Sequence, residues 1–201
     1  MSMIKSDEKA LSSHLARAVR ELRETKGFAL DSLAARSGVS RSMISLIERA
    51  ESSPTAAVLD KLARALGVPL ASLFARVAVQ SPPPGPVSRR AERTPWRDPE
   101  SGYVRCNISP RGVAQPMQIV EVHFPARARV SFENGARGGP VYQQIWILAG
   151  AMEIMVGAER HHLRAGDCLA MELDQPTMLF NPTRKMTRYA LVIVVENFNR
   201  R

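Results

Sequence analysis

Cysteine and histidine are both scarce in this chain, and no apolar run approaches the length of a membrane span. Cys106 and Cys168 are the two cysteines among 201 residues. They are too few for a disulfide scaffold, and neither belongs to a Cys-x-x-Cys pair. They are expected to be small buried side chains in a reducing compartment. Nothing reaches the roughly 18 consecutive apolar residues that a spanning helix needs. The opening residues, MSMIKSDEKA, contain no apolar run of the signal-peptide kind. A cytoplasmic protein without a membrane partner is therefore expected. The four histidines are His14, His123, His161 and His162. His161 and His162 are adjacent after a predicted turn at Gly157-Ala158-Glu159, and neighbours on a strand point to opposite faces, so they cannot readily chelate together. His123 falls on an apolar strand, as a core or rim residue. No Ser/His/Asp or Cys/His arrangement follows from the spacing, so no catalytic residue is assigned.

What is present is an ordinary globular composition, 45% hydrophobic and 23% charged. The net charge of +9 and pI near 10.4 suit a polyanionic partner. Charge does not say which part of the chain meets it. Residues 1–80 hold 12 Lys and Arg against 8 Asp and Glu, and residues 81–201 hold 16 against 11.

The two halves follow different periodicities. From Leu11 to Phe74 the apolar positions recur every three or four residues, as in Leu11, Leu15, Val19 and Leu22, which predicts helices. After Gly102 come short runs rich in Val, Ile and aromatics, split by Gly, Pro and Asn. GYVRCNI, MQIVEVHF, ARVSFE, VYQQIWIL, MEIMV, DCLAME, TMLF and RYALVIVVE are the predicted strands of a sandwich or barrel. Between them, SPPPGPVSRRAERTPWRDPE carries Pro82, Pro83, Pro84 and Pro86, which hold a chain extended. The expected organisation is an α+β chain of two domains. A helical bundle covers residues 1–76, a linker 77–95, and an all-β domain 96–201.

Within the helical half, Leu30 to Ser37 predicts one short helix. Gly38 stands where a tight inter-helix turn needs positive φ, and Val39 fills the corner. Ser40 caps the next helix, the third, running to Arg49. There Ile44 and Ile47 bury, while Arg41, Ser42 and Ser45 lie on the outer N-terminal face. Pro54 opens a fourth helix that Gly67 closes, and Pro69 starts a fifth that ends at Leu73 and Phe74. Together with ISLIER and the downstream SSP-T..VL..LA.AL pattern, this resembles the phage-repressor-like, or xenobiotic-response-element (XRE), helix-turn-helix family from Leu15 to Phe74. The resemblance implies five helices binding double-stranded operator DNA, usually as a homodimer. It places DNA contacts at Leu30, Arg41, Ser42, Ser45 and Arg49. Arg41 is the base reader, since a guanidinium pairs bidentately with guanine. Glu48 matches the family's acidic, bundle-stabilising position, and Arg49 is left to pair with it or to touch phosphate. Ala29 and Leu30 depart from the family's usual Ser/Thr cap and Gln, which removes a cap worth roughly 1 kcal/mol and one common DNA contact.

From residue 102 to 196 the chain resembles a cupin, on the strength of QQIWILAGAMEIMV and HHLRAGDCLAMELDQPTMLFNPT. Metal-binding cupins use two His and a Glu, then a third His. Here Gln143 stands for the Glu, residues around Arg137 to Gly139 for the first His pair, and Thr177 for the last His. No metal or other cofactor is expected. Strand alternation turns Gln143, Ile145 and Ile147 inward, with Thr177 and Leu179 facing them, and these five form the candidate effector pocket. The expected function is a non-enzymatic, operator-binding regulator whose barrel binds a small-molecule effector, dimerises, or does both. The alternatives are a cupin metalloenzyme with a DNA-binding tether and an antitoxin-like regulator binding a protein partner.

Overall fold

A computed structural model describes residues 2–75, 85–110, 117–135 and 140–195, with backbone alone for residues 2–11, 75 and 195. Helices come first: α1 (Ser2–Thr25), α2 (Leu30–Ser37), α3 (Arg41–Glu48), α4 (Ala56–Ala65) and α5 (Leu70–Ala75). Leu15, Val19, Leu33, Ile44, Leu59 and Leu62 bury completely among them. Each such side chain stabilises the bundle by roughly 1.5–3 kcal/mol. Gly38 adopts φ +68° and its N–H closes α2 on the Ala34 carbonyl, so the turn has the left-handed geometry that its sequence position predicted.

The fourth helix begins later than expected. Pro54 lies outside it, and Thr55 is the cap, its hydroxyl accepting the Val58 N–H at 3.4 Å. α2 has the opposite problem. Ala29 holds the extended cap geometry (φ −68°, ψ 160°) but has no side chain that can accept a hydrogen bond. Ala29→Ser should therefore raise stability by about 1 kcal/mol, seen as a higher urea midpoint at unchanged m-value. No gain would mean that the free N–H groups of α2 already have partners.

The all-β part consists of β1 (Trp96–Arg97), β2 (Val104–Asn107), β3 (Met117–Phe124), β4 (Arg129–Phe132), β5 (Val141–Ala149), β6 (Ala151–Val156), β7 (Glu159–Arg164), β8 (Cys168–Glu172), β9 (Thr177–Phe180) and β10 (Thr187–Val195). They form two antiparallel sheets, one ordered β1-β2-β3-β10-β5-β8 and the other β4-β9-β6-β7. This is the two-sheet, all-β arrangement expected of the second half, and the chain as a whole is an α+β fold. All eight predicted strands are present, and β1 and β7 are additional. Of the proline-rich linker, residues 77–84 fall outside the described residues, as do Arg137 to Gly139.

The cysteines correct the expectation of burial. Cys106 is half-buried, and Cys168 is exposed on β8, opposite Trp146 of β5. Alternation explains this: β8 has one face to solvent, and Cys168 lies on it.

The helices are joined to the barrel by a seam of polar and aromatic contacts. Asp98, just after β1, is buried and accepts the Ala56 N–H at 2.7 Å, so the barrel supplies a carboxylate at the N-terminus of α4. The same Asp98 carboxylate takes the Ser101 N–H and hydroxyl. Further along α4, Lys61 and Arg64 both pair with Glu133, at 2.9 and 2.7 Å, and hold its carboxyl below the usual carboxylate range. Arg64 also donates to the Asn134 carbonyl. A run of rings, Phe74–Trp96–Tyr103–Phe124–Tyr189, passes from α5 into the barrel with centroid spacings of 5.3, 5.7, 5.7 and 6.2 Å.

Candidate nucleic-acid interface and barrel cavity

The outer surface of α3 is set by Ser40, whose hydroxyl accepts the Met43 N–H at 3.2 Å and so starts the helix there. Ile44 and Ile47 fix the inner face, leaving Arg41, Ser42 and Met43 exposed at the helix N-terminus. Arg41 reaches back to Asp31 of α2 at 3.2 Å, an exposed pair that a polyanion can replace. Ser42 shares a 3.2 Å hydrogen bond with Ser40. Arg49 ends the helix and donates to the Ser45 hydroxyl at 2.8 Å, so these two candidates form one unit, and its other arm meets Glu51 at 2.9 Å. Leu30 stands apart, half-buried against the helical core. Met43 was not singled out from the sequence; its signal is an apolar residue two positions after Arg41, exposed on the same outer face.

Of the two partners open to Arg49, Glu48 is not the one it takes. Glu48 points inward and pairs with Arg23 of α1 through two hydrogen bonds of 2.7 and 2.8 Å. Arg23 is further held by the Phe28 carbonyl at 2.9 Å, and the Glu48 hydrogen bond raises its pKa above the usual arginine value. This clamp ties α1 to α3, so the exposed helix is set by a buried ion pair.

The barrel holds a cavity of about 60 Å³. Its floor and sides come from the two sheets. Gln143, Thr177 and Leu179 lie on its wall, whereas Ile145 and Ile147 fill the core beside it and do not line it. The roof belongs to the other half of the chain: Asp60 of α4, Pro69 before α5, and Leu70 and Ala71 within it. Arg105 on β2 enters from the side with only 5% of its surface exposed. Its guanidinium lies 5.2 Å above the Phe74 ring. Tyr103 and Tyr189 complete that side, and burial pushes both phenols well above their usual pKa, so they remain neutral hydroxyls.

Metal-binding cupins invite a test of the same wall for metal ligands. Gln143 and Thr177 offer only neutral oxygens, and the Thr177 hydroxyl is already engaged. It accepts from the Asn134 amide at 2.8 Å and donates to the Gln175 carbonyl at 3.2 Å. No group of three His, Cys, Asp or Glu among the described residues is placed to hold an ion. The described donors do not fit a divalent metal. His123 lies on the outer side of β3 near Glu121 at 3.3 Å, and His161 and His162 pair with Glu159 and Glu153, each at 3.7 Å.

Five helices with a capped, outward-facing α3 thus precede a two-sheet, all-β domain. The model of the helix-turn-helix family matches residues 19–73. The chain is 42% identical over 167 residues to the HTH-type transcriptional regulator SutR of Escherichia coli strain K12, covering 82% of this chain and 85% of that protein. A crystal structure of an HTH_3 family transcriptional regulator from Vibrio cholerae is similar over 94% of this chain and 99% of that one, at 25% identity and a TM-score of 0.75. The cupin domain of an XRE family transcriptional regulator from Enterobacter cloacae is 14% identical over 47% of this chain and 98% of that one, with a TM-score of 0.43. The chain belongs to the XRE family of helix-turn-helix transcriptional regulators. No helix among the described residues is long and apolar enough to cross a membrane.

Proposed function

We propose that this regulator reads a palindromic operator as a homodimer and changes its grip on DNA when a small molecule occupies the barrel. The observation that carries the proposal is the shared wall of the cavity: α4 and α5 of the DNA-binding part roof a chamber whose other walls are barrel. A ligand there touches both parts at once, which is the differential contact that an allosteric effector requires. The barrel acts as a sensor and not as an enzyme, consistent with neutral donors at Gln143 and Thr177. The domain limits of 1–76, 77–95 and 96–201 remain the proposed division. A thermal-shift screen of small acids, amines and alcohols, followed by DNA titration with any hit, tests the sensing role. A hit that stabilises the protein but leaves operator affinity unchanged would refute it.

In the DNA-bound state α3 lies in the major groove, with Arg41 on guanine, Met43 on a methyl group, and Ser42, Ser45 and Arg49 on the backbone. Leu30 contributes packing beside the backbone contacts. Arg41→Ala should cost roughly 1–3 kcal/mol on the operator and much less on scrambled DNA. Equal loss on both would make Arg41 a phosphate contact.

The dimer is assigned to the outer face of the larger sheet. Met117 and Ile119 of β3 and Tyr142 and Trp146 of β5 are exposed there, with Val192 and Val194 of β10 between them. Gln144 and Glu121 interrupt this face, but exposed large apolar side chains gathered on one sheet face mark an association surface. A second copy is the occupant, because two-fold recognition of two half-sites needs a two-fold protein.

A further inference from the structure

Arg105 is the feature of the cavity that the fold does not explain. Its Nε and Nη2 are buried and have no hydrogen-bond partner among the described residues. Leaving charged donors unsatisfied in a closed interior is costly, and native proteins rarely do so without a ligand, ion or water to complete them. Burial also lowers the pKa of Arg105 from its usual value, a penalty that a bound negative charge relieves. The other cavity-lining groups on the sheets around it include apolar Val122, Leu191 and Ile193 and the hydroxyl-bearing Tyr103 and Tyr189.

We propose that the effector is a small organic carboxylate bound in the barrel cavity, its oxygens taken by the guanidinium of Arg105 and its short hydrocarbon body lodged against the apolar wall. A planar guanidinium matches a carboxylate with two parallel N–H donors. The size follows from the cavity: 60 Å³ is several times the roughly 10–15 Å³ that one water requires, so it admits a few non-hydrogen atoms. The apolar walls favour a carboxylate with a carbon skeleton over sulfate or phosphate. Position gives the site its regulatory meaning. Arg105 rests on Phe74 of α5 and pairs across the β1–β2 ladder with Trp96, which itself packs on Phe74. An anion drawn to Arg105 therefore acts on the contact that seats the DNA-binding helices.

This assignment rests on the effector-sensing role, and matched ligands separate the two. Acetate, propionate, butyrate, lactate and alanine would be compared by thermal shift with propanol, propylamine, sulfate and phosphate on the full chain. At a hundredfold excess over Kd, at least one carboxylate should raise the melting midpoint by roughly 5 °C or more. The same carboxylate should change operator affinity severalfold, and sulfate, phosphate, propanol and propylamine should do neither. Arg105→Met should abolish the shift. It should also leave the ligand-free protein at least as stable, since it removes a buried unpaired charge while keeping much of the packing. Arg105→Lys, which keeps the charge but loses the fork, should weaken binding without abolishing it.

A shift from propanol or propylamine with none from any acid would overturn the carboxylate and leave effector sensing standing. Shifts from sulfate or phosphate alone would make the ligand an inorganic anion and overturn the carboxylate. An undiminished carboxylate shift in Arg105→Met would move the site elsewhere. If Arg105→Met fails to fold, the comparison of propionate with propanol and propylamine on the wild-type chain still decides. No shift from any compound would overturn both this assignment and the sensing role.

Discussion

Glu48→Ala is expected to destabilise the helical bundle by about 3 kcal/mol and to abolish operator binding at physiological temperature. Glu48 and Arg23 form a bidentate pair in which both side chains are largely covered, at 8% and 13% exposure. Removing one partner of a buried pair costs roughly 3–5 kcal/mol, because the surviving charge is left without compensation. The lower end applies, since Arg23 keeps its hydrogen bond to the Phe28 carbonyl. The pair joins α1 to the exposed helix, so its loss should fall on DNA reading before it falls on the barrel. Urea unfolding followed by far-ultraviolet circular dichroism measures the cost. A change under 1 kcal/mol would mean that the pair contributes geometry and little stability. The double variant Arg23→Met with Glu48→Leu is the informative companion: two apolar replacements should recover most of the loss while leaving α3 less firmly oriented.

Trp146→Asp should separate the proposed dimer into monomers and weaken operator binding by roughly 10²–10⁴-fold, the avidity that two linked half-site contacts provide. Trp146 projects from β5 with half of its surface exposed, so replacing it removes little from the interior of the barrel. Strand propensity changes by no more than about 1 kcal/mol, and the fold should survive. An aspartate on each copy would put two unpaired charges into a covered apolar face, which association cannot tolerate. Sedimentation and operator titration on one preparation read both effects. A dimer that persists would place its contact elsewhere on the chain.

Legibility in the sequence followed the range of the interactions. The turn at Gly38, the Ser40 cap and the inward Ile44 and Ile47 are local, and each was readable from a few residues. The eight apolar strands were readable for the same reason. β7 was not named as a strand, because ERHHLR has almost no apolar alternation and is held by its ladder to β6. β1 is two residues long, and Trp96 buries against Phe74 and Tyr103, which lie far from it or outside its strand. Beside the local Thr55 cap, α4 takes a second acceptor for its first turn from Asp98, forty-two residues away, which no local pattern announces.

The candidate sites divide in the same way. Arg41, Ser42, Ser45 and Arg49 follow from the periodicity of one short helix. Gln143, Thr177 and Leu179 were reachable from strand alternation, but Ile145 and Ile147 share that alternation and differ only in depth. Arg105 lay in a predicted strand two residues after Tyr103, hence on the same face. Nothing nearby says that helices from the other end of the chain will cover it.

The chain has two tryptophans, and the fold has put them in opposite circumstances. Trp96 packs edge-on among rings at the seam, beside Arg105, and Trp146 faces outward on β5. Emission from the first should be blue and should answer to any movement of the helices on the barrel. Emission from the second should be red and open to quenchers in the lone chain, and should shift to the blue when the sheet is covered. The molecule thus carries two intrinsic optical probes, one at the seat of the helices and one on the open sheet, which can be followed separately without any added dye.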